Sequence, residues 1–316
     1  MAPLRLLFCG TPHFAVPTLR HLLSQSDFEI AAVITQPDRP RGRGQQVSSS
    51  PVKETASEAS IPVHQPEKIR AAETQTLLET LAPDVIVIIA YGQIIPARLL
   101  SIPKLGWINL HASLLPKYRG AAPIHWAIAD GETASGLTTM RIDAGMDTGD
   151  ILLQEKIEIA HGQTAPELAK KMSEIGAPLM AETLRGIASG NLSPLPQKHA
   201  EATYAPLLKK ADGRIDWNRP AQEIYNRLRG FDPWPGAYTS FRGQTCHLWA
   251  EPFSLRTLTG SAPGTLLLEG REILIACGHA TLLRLLSVKV QGRKQVSAVE
   301  FANGARLTER ERFDNT

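Results

Sequence analysis

The sequence predicts an α/β protein, a parallel sheet covered by helices, followed by a small β-barrel or sandwich. Three observations carry that expectation. Short Val- and Ile-rich runs without alternation, as at residues 84–90, suit strands buried on both faces. Amphipathic stretches of helical period lie between such runs, the pattern of βαβ crossovers. Beyond a proline-rich polar stretch near residue 190 the pattern changes to short strands punctuated by glycine.

Taken in order, strands are expected at residues 4–9, 29–35, 84–90, 107–110 and 136–142, with crossover helices at 13–24, 51–59, 73–81 and 121–129. Helical periodicity resumes at 166–188. Gly190-Asn-Leu-Ser-Pro-Leu-Pro-Gln-Lys-His-Ala is dense in turn formers and reads as the start of a linker. The expected organisation is a first domain at 1–189, a linker at 190–207 and a second domain at 208–316, which suits a chain of 316 residues. Within the second domain a helix is expected at 221–228 and strands at 237–241, 246–250, 264–268, 273–276 and 282–290. Trp217, Trp234 and Trp249 are expected in packing rather than as platforms for stacked bases.

Composition narrows the function classes. Hydrophobic residues make up 43% and charged residues 21%, which excludes disordered, collagen-like and coiled-coil proteins. The longest apolar run is far short of the ~20 residues of a membrane-spanning helix. Cys9, Cys246 and Cys277 are odd in number and contain no CxxC pair, so neither a disulfide framework nor a zinc cluster is expected, and a reducing cytoplasmic setting is. The net charge of +3 is uneven. Residues 1–199 hold 18 basic and 19 acidic side chains, a net of −1, and residues 200–316 hold 16 and 12, a net of +4. That asymmetry points weakly to a polyanionic partner for the second half. Gly10-Thr-Pro-His-Phe after the first strand fits neither G-x-G-x-x-G nor a P-loop, so it reads as a tight turn into a helix rather than a nucleotide site.

The dense chemical segment begins at Trp107. On a strand Asn109 and His111 project from one face, so an amide donor and an imidazole can meet one reacting atom, near the carboxyl end of the strand where open α/β sheets hold ligands. Alone, an Asn-x-His pair is a weak signal and reads first as two satisfied strand-end polar residues. A second segment, Asp143-Ala-Gly-Met-Asp147-Thr-Gly-Asp150, is a glycine-rich turn that can bring a carboxylate to the imidazole. Such a carboxylate fixes the imidazole's tautomer while the amide donates to a developing oxyanion. Amide, imidazole and carboxylate suit acyl transfer through a tetrahedral intermediate, and the lack of a G-x-S-x-G elbow speaks against a covalent acyl-enzyme. Asp143 and Asp150 are expected to cap or solvate the turn.

These residues resemble a known family. Asn109-x-His111-x-Ser113-Leu114-Leu115-Pro116-x-Tyr118-Arg119-Gly120, with Asp147-Thr148-Gly149 36 positions after the histidine, is similar to the signature of the 10-formyltetrahydrofolate-dependent formyltransferases. Thr-Gln-Pro-Asp-Arg-Pro-Arg-Gly-Arg-Gly at 35–44, Gly120-Ala-Ala-Pro-Ile124, Arg214-Ile-Asp-Trp217 and Phe231-Asp-Pro-Trp-Pro235 resemble the branch that formylates methionyl-tRNA. The resemblance covers essentially the whole chain; its departures are Ala112, where glycine is common, and the additional Arg41.

The resemblance implies a Rossmann-like formyltransferase domain, an OB-like barrel that binds tRNA, and formyl transfer to the α-amino group of initiator methionyl-tRNA. It implies catalytic roles for Asn109, His111 and Asp147 and a folate site at Ser113, Leu114, Leu115 and Pro116, with Tyr91 and Gly92 lining it. 10-Formyltetrahydrofolate is the expected cosubstrate, with no metal, and the expected assembly is a monomer. Arg39, Arg41 and Arg43, spaced by proline and glycine, read by composition as a solvated loop; the family implies contact with the tRNA acceptor stem. Two other readings stand beside this one: formyl transfer to an amino-sugar nucleotide, and folate or RNA binding without catalysis.

Overall fold

A computed structural model describes residues 2–41, 46–254, 260–308 and 311–314; the side chains of residues 40, 41, 46 and 47 lie outside the description. The chain divides into two compact units. The first comprises residues 1–123, 134–158 and 168–206, the second 124–133, 159–167 and 207–316.

The first unit is built on a seven-stranded sheet. Its strands are β1 (Leu4–Gly10), β2 (Phe28–Ile34), β5 (Val63–His64), β6 (Val85–Ile89), β7 (Trp107–His111), β8 (Ala134–Arg141) and β9 (Ile151–Glu158), in the spatial order β5-β2-β1-β6-β7-β8-β9. A separate two-stranded hairpin, β3 (Arg39–Arg41) and β4 (Gln46–Ser48), occupies part of the segment read as a loop. All five residues of β6 are buried, as are Leu6 to Gly10 of β1, so the unbroken apolar runs do mark central strands. The strands from β5 to β7 are parallel. β8 departs from the expected parallel sheet: it runs antiparallel to β7 and to β9.

Helices α1 (Val16–Leu23), α2 (Pro51–Glu58), α3 (Ala72–Leu81) and α4 (Ala97–Leu100) provide the crossovers. Ser50 caps α2 by accepting a hydrogen bond from the Lys53 amide at 3.1 Å, and Pro51 starts the helix where no amide is needed. α5 (Pro123–Ala129) follows β7, and α6 (Ala165–Ala188) follows β9. Gly176 of α6 lies so close to the sheet that a Cβ there would come within 2.5 Å of Leu110 Cδ2. α6 therefore covers the sheet face of Leu110 and Leu137, the face opposite Asn109 and His111.

The second unit carries α7 (Ala221–Gly230), β10 (Tyr238–Phe241), β11 (Gln244–Phe253), β12 (Leu266–Glu269), β13 (Glu272–Ala276), β14 (Leu282–Val290), β15 (Val296–Ser297) and α8 (Ala298–Ala305). The antiparallel order is β10-β11-β14-β13-β12, with β15 on β14. Both edges are met by residues 311–314. Leu266 donates to the Glu311 carbonyl, Phe313 to Gly264, and Asp314 to Ser240 of β10. One short segment thus pairs with both edges and joins them, closing the sheet as a barrel closes. Phe313 is fully buried, its ring stacked 5.6 Å from Trp217 and edge-on to Phe241. Of the tryptophans expected in packing, Trp217 is buried, whereas Trp234 is 53% and Trp249 36% exposed. The reason at Trp249 is register: Leu248 and Ala250 take the inward positions of β11.

Candidate active site

His111 ends β7 and is only 6% exposed. Its Nε2 lies 3.0 Å from the Tyr118 carbonyl, so this nitrogen carries the hydrogen and donates. Nδ1 faces the Asp147 carboxylate, with Oδ2 at 3.7 Å. That gap is too long for a hydrogen bond and leaves Nδ1 open to a proton that would sit beside a carboxylate. Asp147 Oδ2 also accepts from the Gly120 amide at 2.8 Å. Asn109, two residues back on the same face, is half-buried, and its side-chain amide has no partner among the described residues. The structure thus brings His111 to Asp147 and, among the described residues, leaves the Asn109 amide without a partner on the His111 face.

The route by which Asp147 arrives differs from the expected one. Because β8 is antiparallel, the turn that follows it starts where Arg141 pairs with Ile108, three residues before His111. The turn folds back along β7. Asp143 accepts from the Gly145 amide at 3.0 Å and from the Thr148 hydroxyl, capping the turn as expected. Asp147 takes the left-handed conformation, φ +53°. Gly149 is dictated by space, because a Cβ there would lie 1.9 Å from the Arg141 carbonyl oxygen.

Ser113, Leu114, Leu115 and Pro116 form the turn beyond β7. The Ser113 hydroxyl, fully buried, donates to the Lys117 carbonyl at 2.6 Å. Thr138 of β8 ties the same turn, donating to the Ser113 carbonyl and accepting from the Leu115 amide. Leu115 packs with Met140 and Ile151, while Leu114 and Pro116 are half-buried. Tyr91 is 2% exposed in the apolar core, and burial pushes its phenol pKa far up. Its carbonyl accepts from the Thr11 hydroxyl and the Gln36 amide, and Gly92 follows at φ +89°.

Arg39 is exposed and pairs with Ser48 across the hairpin. The Arg41 side chain and the whole of Arg43 lie outside the described residues. At the hairpin's base Lys53 and Gln65 bind the Asp38 carboxylate, which they hold below the usual carboxylate range. Among the described residues no cluster of His, Cys, Asp and Glu is arranged to hold a metal ion, and no helix is long and apolar enough to cross a membrane.

Sequence reasoning passed over two residues beside this constellation. Arg119, 2% exposed, sends Nε and Nη2 to the Gln197 side-chain oxygen at 3.1 and 2.6 Å. Gln197 in turn reaches the Asp147 turn. Nothing local signals either one: the arginine sits inside a motif read for its neighbours, and the glutamine in a stretch read as linker.

Comparison with known proteins places the geometry. The formyl transferase family model matches residues 4–184, and the model of its C-terminal domain matches residues 207–306. Methionyl-tRNA formyltransferase of Koribacter versatilis is 51% identical, covering 95% of this chain and 96% of the relative. That of Solibacter usitatus is 51% identical over 98% of each chain, and that of Geobacter sulfurreducens 47% over 97% and 96%. In fold the chain is similar to the N-formyltransferase from Helicobacter canadensis, solved with folinic acid and dTDP-3-aminofucose, with a TM-score of 0.68 and 19% identity over 89% of this chain and 98% of that one. It is also similar to the sugar 3N-formyl transferase WlaRD, with a TM-score of 0.67 and 17% identity over 93% and 100%.

Proposed function

The chain belongs to the formyltransferase family, and we propose that it moves the formyl group of 10-formyltetrahydrofolate onto the free α-amino group of methionyl-initiator tRNA, giving N-formylmethionyl-tRNA. The observation that carries the chemistry is the setting of His111, with Nε2 committed to a carbonyl and Nδ1 left open 3.7 Å from the Asp147 carboxylate. The tRNA acceptor is supported by relatives of that name matched over nearly their whole length.

The amine lone pair forms the new C–N bond at the formyl carbon, and the C=O pair moves onto oxygen. Asn109, with its unengaged amide, donates to that oxyanion. The proton leaving the amine is taken at His111 Nδ1, where Asp147 stabilises the imidazolium. On collapse the C=O re-forms, the bond to N10 of the folate breaks, and N10 receives the proton. Ser113, Leu114, Leu115, Pro116, Tyr91 and Gly92 shape the folate site chiefly through backbone, since the Ser113 hydroxyl is committed to the turn and the Tyr91 ring to the core. No step calls on a metal, and a chelator should leave turnover unchanged. Arg39, Arg41 and Arg43 reach the tRNA acceptor stem, and the basic second unit grips its backbone. The enzyme works as a monomer, and its three buried free thiols, Cys9, Cys246 and Cys277, suit the cytoplasm.

The deciding experiment supplies 10-formyltetrahydrofolate with charged initiator tRNA or with an amino-sugar nucleotide. Formyl-methionyl-tRNA is the expected product. Formylation of the sugar alone, or of neither acceptor, would overturn the reading.

A further inference from the structure

The strap at residues 197–205 lies within the first unit and holds both halves of the His111 site. At its far end Thr203 accepts from the Tyr118 amide through its hydroxyl and from the Arg119 amide through its carbonyl, and the Ala205 amide donates to the Arg119 carbonyl at 2.7 Å. These bonds set the turn whose Tyr118 carbonyl receives Nε2 and whose Gly120 amide donates to Asp147. At its near end Gln197, 5% exposed, donates from Nε2 to two carbonyls of the opposite turn, Asp147 at 2.9 Å and Gly149 at 2.7 Å. Its side-chain oxygen is occupied by the buried Arg119 guanidinium, whose Nη2 also reaches His199 Nδ1 at 3.1 Å.

We propose that Gln197 is a positioning residue for the formyl transfer: through its two amide donors it holds Asp147 in its left-handed conformation so that the carboxylate meets His111 and Gly120. The residue type follows from its neighbours. The site needs one acceptor facing a cation and two donors facing carbonyls, and a primary amide supplies that set in one group. A carboxylate would satisfy Arg119 and repel both carbonyls. The left-handed backbone of a non-glycine residue is costly and persists only where surrounding bonds impose it. The guanidinium strengthens the imposition, because a charged donor on the amide oxygen polarises the N–H groups on its other side.

The proposal rests on the catalytic reading of His111 and Asp147, and the test separates the two. Gln197→Glu keeps side-chain length and the acceptor for Arg119, and it loses both donors. Its thermal midpoint should fall only modestly, since the counter-charge gained by the buried guanidinium offsets part of the repulsion from the two carbonyls. The KM for 10-formyltetrahydrofolate and for charged tRNA should stay within about twofold, while kcat falls about ten- to a hundredfold, the scale of a small misplacement of a reacting group. In an Asp147→Asn background the same change should cost less than about twofold, because the carboxylate it positions is gone. Gln197→Met, of similar volume, removes the donors without adding charge and should show the same loss of kcat. Parental kcat in either folded variant, or an equal loss in the Asp147→Asn background, overturns the role of Gln197 alone. Parental kcat in Asp147→Asn itself overturns the catalytic reading, and the positioning role with it.

Discussion

The Tyr118 carbonyl oxygen, 3.0 Å from His111 Nε2, decides which nitrogen of the imidazole is available for chemistry. A carbonyl can only accept, so Nε2 carries the hydrogen and Nδ1 is left with the lone pair, turned toward Asp147.

From that arrangement, Asn109→Ala, His111→Ala and Asp147→Ala should each fold and lose ~10²–10³ in kcat, the scale of one lost oxyanion donor. Circular dichroism checks the fold and single-turnover kinetics the loss. The double variant His111→Ala, Asp147→Ala should fall little below either single, since both act on one proton. A folded His111→Ala with near-normal turnover would remove the assignment.

Gly120 has a backbone reason to be glycine. It sits at φ +117°, and a Cβ there would lie 2.7 Å from the Ala205 carbonyl oxygen. Gly120→Ala should lose about 1–3 kcal/mol of stability, typical of strain at a special backbone position, and part of its turnover, because its amide holds Asp147. Urea denaturation measures the first effect; retention of parental stability would mean that the strap yields freely.

Positioning charge and tRNA discrimination should separate on mutation. Removing basic residues of the second unit, Lys289 and Lys294 for example, should weaken all tRNAs about equally and flatten the salt dependence of binding by about one counterion per contact. Arg43→Ala should instead lower turnover and discrimination between initiator and other tRNAs, and Arg39→Ala should follow it. Arg41→Ala should matter least. Equal salt slopes and equal discrimination across the whole set would take both regions out of tRNA recognition.

Asp84 gives stability a pH dependence. The Arg5 amide, 3.0 Å away, and then Lys104 hold its carboxyl below the usual range. A lowered folded-state pKa adds stability above the ordinary carboxylate range, and that stability is lost as pH falls through it. The stability gap between parent and Asp84→Asn should therefore be about 1 kcal/mol or less at pH 7 and shrink below about pH 4. Denaturation series at several pH values test this, and a gap that persists at pH 3 would contradict it.

Much of the frame was legible because its signals are local. Unbroken Val/Ile runs such as β6 announce burial on both faces, and Asn109 and His111 fall on one face by strand period alone. β9 escaped because Gln154, Glu155 and Lys156, exposed on this edge strand of the sheet, interrupt its apolar pattern. α8 was also missed, although Ser297 and Glu300 form a capping box that a search for S-x-x-E would have found. The direction of β8 and the role of Gln197 are different in kind. Both depend on partners far along the chain, Thr138 opposite His111 and Asp147 opposite Gln197, and no window of sequence contains such pairs.

The backward path of the turn after β8 also sets how this region can drift. From Arg141, level with Ile108, the chain has six steps in which to come level with His111, about 10 Å along the strand at ~3.3 Å per residue. Each inserted or deleted residue shifts that reach by up to ~3.4 Å, more than a 2.8 Å hydrogen bond to Gly120 can absorb. The segment 141–147 is a ruler: an exposed side chain along it such as Met146 can change by substitution, while its length stays fixed for as long as the carboxylate must find the imidazole.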